Sequence, residues 1–292
     1  MKKIITFLIL TSLISCNKNS DKADGYGNFE ATEVTISAEA NGKIDYLKLE
    51  EGDVLEPNSQ VGLVDTTQLY FNKQQLIASK NTVYSKSANV LSQIKVLQEQ
   101  LKTTQIEKKR ILNMFAENAA TKRQVDEIDG KVSVIQEQIK SVETQNAPIV
   151  NEVKSIDVQI DKINDQIQKS KIINPIKGTV LSKYAEPNEV TAFGKPIYKI
   201  ADISEMTLRV YISETQLSQI KVGQKVTVKI DTEKEMKTFP GTISWISSSA
   251  EFTPKVVQTK EERVNLVYAV KIKVKNDGTL KIGMPAEMWI KL

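Results

Sequence analysis

The chain has no histidine and a single cysteine, Cys16, among its 292 residues. That inventory excludes zinc sites of the Cys/His kind and any catalytic triad built on an imidazole base. Nor is there a surplus of one charge. Forty Lys and Arg stand against 36 Asp and Glu, a formal +4 that falls to +2 without Lys2 and Lys3. Both signs are spread along the chain, which excludes the concentrated basic footprint of a nucleic-acid binder. The carboxylates fall among lysines at spacings of three or four, the pattern of a solvated helix face with weak ion pairs. No catalytic residue, metal ligand or cofactor is expected. Beyond the first residues no hydrophobic run reaches spanning length, so the rest of the chain should face an aqueous compartment. With 40% hydrophobic and 26% charged residues, it is expected to fold.

Lys2 and Lys3 precede an apolar stretch over residues 4–10, followed by Leu13-Ile14-Ser15-Cys16. This is the positive n-region and short h-region of a secretory signal, too short to span a bilayer stably. The order Leu, any, small, Cys resembles the bacterial lipobox. It implies removal of residues 1–15 and acylation of Cys16, with residues 16–28 as a lipid-anchored linker. The alternative, a buried free thiol, fits poorly before the polar stretch 17–24. Several acyl chains together hold an anchor without a transmembrane helix. A lone cysteine is also compatible with the oxidising periplasm, where it would form no internal disulfide.

From Val125 the apolar positions run Ile128, Val132, Ile135, Ile139, Val142, Ile149, Val153, Ile156, Ile160, Ile163 and Ile167, with only Asn146 interrupting. Alternating steps of three and four make a sustained heptad seam. Upstream, Leu69, Leu76, Val83, Val90 and Leu97 recur every seven residues, with Ile94, Leu101, Ile111 and Phe115 as a second row. Two helices are expected, over 68–115 and 122–170, folded into an antiparallel hairpin (67–171) with its tip near 116–121. Thr121 and Gln124 have capping-box spacing. Pro148 should bend the second helix, and Gly130 should weaken it without stopping it.

On either side of the hairpin stand matching segments. Gly42-Lys43-Ile44 and Gly52-Asp53-Val54 precede it; Gly178-Thr179-Val180 and Asn188-Glu189-Val190 follow at a constant offset of 136. Gly52 and Asn188 tolerate the left-handed backbone of a tight turn. Residues 29–66 and 172–203 therefore read as two halves of one β domain. Beyond Ser204 the pattern turns to alternation: Leu208, Val210, Ile212; Val226, Val228, Ile230; Ile243; Val270, Ile272, Val274; Met288 and Ile290. Residues 204–292 are expected to form a small antiparallel barrel, with a short helix over 215–220 and a long surface loop over 253–262.

The paired half-motifs resemble the two halves of a biotinyl-lipoyl domain, with the hairpin in place of the turn that carries the modified lysine. Here Asp65-Thr66-Thr67 runs into helix instead, which argues against a carrier function; Asp21-Lys22-Ala23 matches the lipoyl tripeptide only in the linker. The order of signal, half-lipoyl, hairpin, half-lipoyl and barrel resembles the HlyD-type membrane fusion proteins, or periplasmic adaptors. Residues 173–180 and 194–202 look like that family's second half-lipoyl segment. Residues 250–255 with 257–259 are similar to a subset associated with ABC-type export pumps.

The resemblance implies an α+β, elongated, multi-domain scaffold without enzymatic activity, packed side by side into a homo-oligomeric ring, a hexamer. Its implied partners are an inner-membrane transporter, ABC-type in preference to RND-type, and an outer-membrane TolC-like channel. In relatives that dock such a channel, an Arg, a Leu four residues on and a Ser eleven on flank the tip; the matching positions are Arg110, Met114 and Thr121. Many relatives build a membrane-proximal domain from both termini, and the end at Leu292 suggests it is absent or minimal here. An envelope tether with the same anchor and rod but no transport role is the alternative.

Overall fold

The computed structural model describes residues 22–233, 235–252 and 266–290. Cys16, the signal segment and the loop expected over 253–262 lie outside the described residues. In chain order the strands begin with β1 (Gly25–Glu30), β2 (Glu33–Ser37), β3 (Gly42–Leu47), β4 (Val54–Leu55) and β5 (Gln60–Val64). The hairpin helices α1 (Thr67–Ala116) and α2 (Lys122–Lys169) come next. Then follow β6 (Lys171–Ile173), β7 (Gly178–Lys183), β8 (Val190–Thr191) and β9 (Pro196–Ala201). The last stretch holds β10 (Glu205–Ser213), α3 (Glu214–Leu217), β11 (Lys225–Ile230), β12 (Lys237–Ile246), β13 (Glu251–Phe252), β14 (Leu266–Lys275) and β15 (Pro285–Trp289).

The offset of 136 reappears in the backbone. One four-stranded sheet runs β2-β9-β7-β4 and the other β6-β5-β3-β8. Exchanging each strand for its repeat partner turns the first order into the second, so each half of the chain contributes two strands to each sheet. The irregularities repeat as well. The β3–β5 ladder shifts register between Ile44 and Tyr46, and the β7–β9 ladder shifts between Val180 and Ser182, the same two places. Gly52 and Asn188 both take positive φ, at 96° and 72°, as their turns require. Between the sheets lie Ile44, Leu47, Val61, Val64, Val180, Ile197, Tyr198 and Ile200.

Each half ends on the same device. The carboxylate of Asp65 accepts from the Thr67 amide at 2.8 Å, and that of Asp202 from the Ser204 amide at 2.9 Å. Hydrogen bonds from Thr67 and Ser204 hold the two carboxyls below the ordinary carboxylate range. Because the folded values are depressed, what they contribute is present above that range and is lost as pH falls.

The hairpin helices are 50 and 48 residues long, and at about 1.5 Å per residue the rod is roughly 75 Å. The buried seam holds Val83, Val90 and Ile94 on α1 against Val125, Ile128, Val132, Ile135 and Ile156 on α2. Lys80–Asp157 at 2.6 Å and Lys108–Asp129 at 2.8 Å bridge the helices along its length. Asn146, expected only to break the seam, has a partner there: the Ser87 hydroxyl donates to its Oδ1 at 2.7 Å. A lone polar pair in an apolar seam fixes register at some expense in stability. Replacing both, Ser87→Val with Asn146→Leu, should raise the melting temperature of the hairpin. Asn146→Ala alone should lower stability by about 1 kcal/mol, read by urea titration. The helix runs through Pro148 without a break. Phe115, expected in the seam, is exposed.

The barrel departs from the sequence expectation at its first strand. Six strands close in the order β10-β1-β15-β11-β12-β14, with β14 returning to β10 and β13 pairing the start of β14 beyond the end of β12. One of the six, β1, comes from residues expected to form the linker 16–28 and the start of the first half-lipoyl segment. It pairs antiparallel with β10 (Tyr26↔Tyr211 to Glu30↔Thr207) and with β15 (Gly25↔Met288 to Asn28↔Pro285). Phe29 enters the barrel core beside Leu208, Val210, Ile272 and Met288. Pairing wins over composition here, because β10 and β15 would otherwise present two unpaired edges. The short helix expected over 215–220 is α3.

Candidate functional site

The rod ends in a turn fixed from both sides. At the end of α1, Asn118 adopts the left-handed conformation at φ 57°. Its amide donates to the Phe115 carbonyl at 3.0 Å, and the Ala119 amide reaches the Met114 carbonyl at 2.8 Å. These are the two bonds of a Schellman motif, with Asn in the place glycine often fills. On the other side Thr121 caps α2: its hydroxyl accepts from the Gln124 amide at 3.3 Å, and Gln124 Oε1 accepts from the Thr121 amide at 2.8 Å.

Arg110 and Met114 are one turn apart near the end of α1, and Thr121 follows across the turn, so all three lie at the same end of the rod. Arg110 is exposed and pairs with Glu107 on its own helix. Met114 is 42% exposed, while the Thr121 hydroxyl is committed to the cap. Leu112 and Phe115, each 40% exposed and three residues apart, share another face of α1; Phe115 was expected in the seam, and Leu112 was not singled out from the sequence. The signal was available: Ile111, Leu112, Met114 and Phe115 are more apolar residues than a two-per-heptad seam can bury. The tip therefore presents Met114 with Arg110 on one face of α1 and Leu112 with Phe115 on another.

Along the rod, Tyr70, Phe71, Tyr84, Leu91, Val96, Ile106, Val134 and Val158 are exposed outside the seam. On the barrel wall a cleft of about 520 Å³ lies over β1, between Tyr26, Glu30, Arg209, Tyr211, Lys229 and Glu287. Arg209 is taken up by Glu251, with two bonds at 3.0 and 3.1 Å. Among the described residues no group of three or more Cys, Asp or Glu side chains is placed to hold a metal ion. No described helix is long and apolar enough to cross a membrane.

Residues 206–290 match the family model of the YknX-like beta-barrel domain. The chain is 24% identical to a UPF0194 membrane protein in the asrC 5′ region of Acidithiobacillus ferridurans, covering 91% of this chain and 86% of that one. In fold it is similar to MacA from Actinobacillus actinomycetemcomitans, with a TM-score of 0.53 and 20% identity over 90% of this chain and 76% of the other. It is also similar to the membrane fusion protein Spr0693 from Streptococcus pneumoniae R6, with a TM-score of 0.51 and 18% identity over 91% and 97% of the two chains. A hairpin spliced into a sandwich of two half-repeats, with a closed six-stranded barrel that matches the YknX-like type, is the fold this chain shares with those two solved structures.

Proposed function

We propose that this chain is a lipid-anchored periplasmic adaptor. It would join an inner-membrane transporter, of the ABC type in preference to the RND type, to an outer-membrane TolC-like channel. The observation that carries the reading is the rod of roughly 75 Å with a rigidly capped, apolar tip. A spacer that bound nothing at its end would gain nothing by exposing Leu112, Met114 and Phe115. In this reading Arg110 and Met114 contact the channel, and Thr121 shapes the turn that presents them. Exposed apolar residues along the rod fit lateral packing between copies in a homo-oligomeric ring, a hexamer. Cys16 carries the acyl chains, and the protein transmits conformational change without catalysing a reaction.

A photoreactive residue at Met114 in one sample and at Lys255 in another, crosslinked in native envelopes, tests the two contacts separately. Met114 is the better tip position because it leaves the cap intact. An outer-membrane channel is expected from the first and an inner-membrane transporter from the second. Recovery of peptidoglycan fragments or self-contacts alone from both would move the reading to an envelope tether.

A further inference from the structure

The chain has two tryptophans, and both reach the same rim of the barrel. Strand pairing defines that rim: β10 ends there at Ser213, β1 begins there at Gly25, β15 ends at Trp289, β11 begins at Lys225 and β12 ends just past Trp245. The opposite rim carries Glu205, where β10 leaves the sandwich. Trp289 follows inward-facing Met288 and so turns outward; Lys229 lies over its ring at 4.1 Å from the centroid. Trp245 is two residues from buried Ile243 and would face the core in a regular strand. A register shift between the two turns it out, where Lys271 lies over its ring at 5.4 Å. Around them Tyr26, Leu266 and Val222 are exposed, Val222 at 64%, with Lys221 and Lys225 alongside.

The acidic residues of this rim are largely occupied. Asp24 accepts from the Ile290 amide at 2.7 Å, Glu287 from the Trp289 indole at 3.0 Å, and Glu251 pairs with Arg209. Among the described residues, Glu214 is the remaining acid nearby. Indole and phenol rings mixed with lysines are the chemistry of a bilayer's headgroup layer, where an amphipathic ring and a snorkelling ammonium are both satisfied. The chain outside the described residues also leaves from here. Asp24 is stitched to the rim by the Met288 carbonyl, at 2.9 Å from the Asp24 amide, and by Gln216. Asp24 is eight residues on from Cys16, a reach of at most about 28 Å at roughly 3.5 Å per residue.

We infer that this rim rests on a phospholipid surface, with Trp245 and Trp289 in the headgroup layer and Lys221 and Lys225 toward anionic lipid. The inference rests on the anchored-adaptor reading only for the place of the tether; contact with lipid needs neither transporter nor channel. The full-length protein purified from envelopes is mixed with vesicles of phosphatidylethanolamine and phosphatidylglycerol carrying a headgroup nitroxide. W245F and W289F each leave one reporter. Both variants should lose most of their tryptophan emission to the nitroxide, and Lys221→Glu with Lys225→Glu should restore it while the protein stays vesicle-bound. Emission untouched by lipid nitroxide but open to aqueous iodide overturns the inference, as does quenching that survives the double charge reversal. Shielding from iodide without any vesicle assigns the rim to a second copy of the chain and overturns it too. Recovery without detergent would count against acylation of Cys16, and the quenching readout would still decide the rim.

Discussion

Gly27→Ala should open the barrel. A methyl group at that position would sit 1.7 Å from the Arg209 carbonyl oxygen and 2.7 Å from the Val210 Cα, both backbone atoms of β10 that cannot rotate away. Strand β1 would have to leave β10, and because it also pairs with β15, its displacement breaks the ring on two sides. Phe29, 1% exposed in the native barrel, would be drawn out of the core with it. Overpacking of this kind destabilises by about 3 kcal/mol or more when the colliding atoms are backbone. The same substitution at Gly130, where no atom lies within 4 Å, should instead stabilise α2 by up to about 1 kcal/mol. Hydrogen exchange resolves the two cases. Amides of 26–30 should lose protection in Gly27→Ala and keep it in Gly130→Ala; retained protection and an unchanged melting point in the former would show that β1 is not held as described.

Asn174→Leu should disrupt the sandwich at the point where its halves meet. Asn174 is 0% exposed and uses every polar atom it has. Its Nδ2 donates to the carbonyls of Glu56, at 2.9 Å, and Ile176; its Oδ1 accepts from the Tyr198 hydroxyl at 3.1 Å. Its backbone bonds Ser59 and Asn58 across the repeat. Leucine fills the volume but leaves the Ile176 carbonyl and the buried Tyr198 hydroxyl without the amide, while the Glu56 carbonyl keeps its bond from the Ser59 hydroxyl. At about 1–3 kcal/mol for each unpaired buried group, the loss should be about 4 kcal/mol. Tyr198→Phe removes one bond and should lower stability by about 1 kcal/mol. Burial raises the Tyr198 hydroxyl well above its ordinary value, so it remains a neutral donor across the working pH range. Urea titration of both single variants and the double variant measures the coupling. A loss under about 1 kcal/mol for Asn174→Leu would mean that water reaches the stranded groups.

Much of this fold could be read from residue spacing, because its periodicities are strong and local. A seven-residue repeat sustained through α2 specifies a helix and its buried stripe; Thr121 with Gln124 marks where that helix begins. The offset of 136 survives because turns at Gly52 and Asn188 need a left-handed residue whatever surrounds them. What escaped the sequence depends on partners far along the chain. Little in Gly-Tyr-Gly-Asn-Phe-Glu says strand: two glycines weaken it, and Phe29 is its lone buried large side chain. Its place is decided by β10 and β15. Asn146 looked like a defect because Ser87, which answers it, lies on the other helix. At the tip, Thr121 is legible as a cap and the surplus of apolar residues over 111–115 can be counted, whereas the exposure of Phe115, whose spacing reads as a seam position, is seen only in the fold.

The strand β1 has one more consequence, for the order in which the molecule assembles. The barrel begins before the sandwich and finishes after it, and the sandwich begins before the hairpin and finishes after it, like brackets nested inside brackets. The outermost pair, β1 with β15, joins Gly25 to Met288, so closing it first would cost the entropy of a loop nearly as long as the chain. The hairpin has the shortest loop, five residues from Glu117 to Thr121, and the most local contacts. Zipping it from the tip carries β5 back to β6, which shortens the next closure; the completed sandwich then brings β1 within reach of β10. On loop-closure entropy alone, assembly is expected to run from the inside outward, with the strand synthesised first among them the last to find its place.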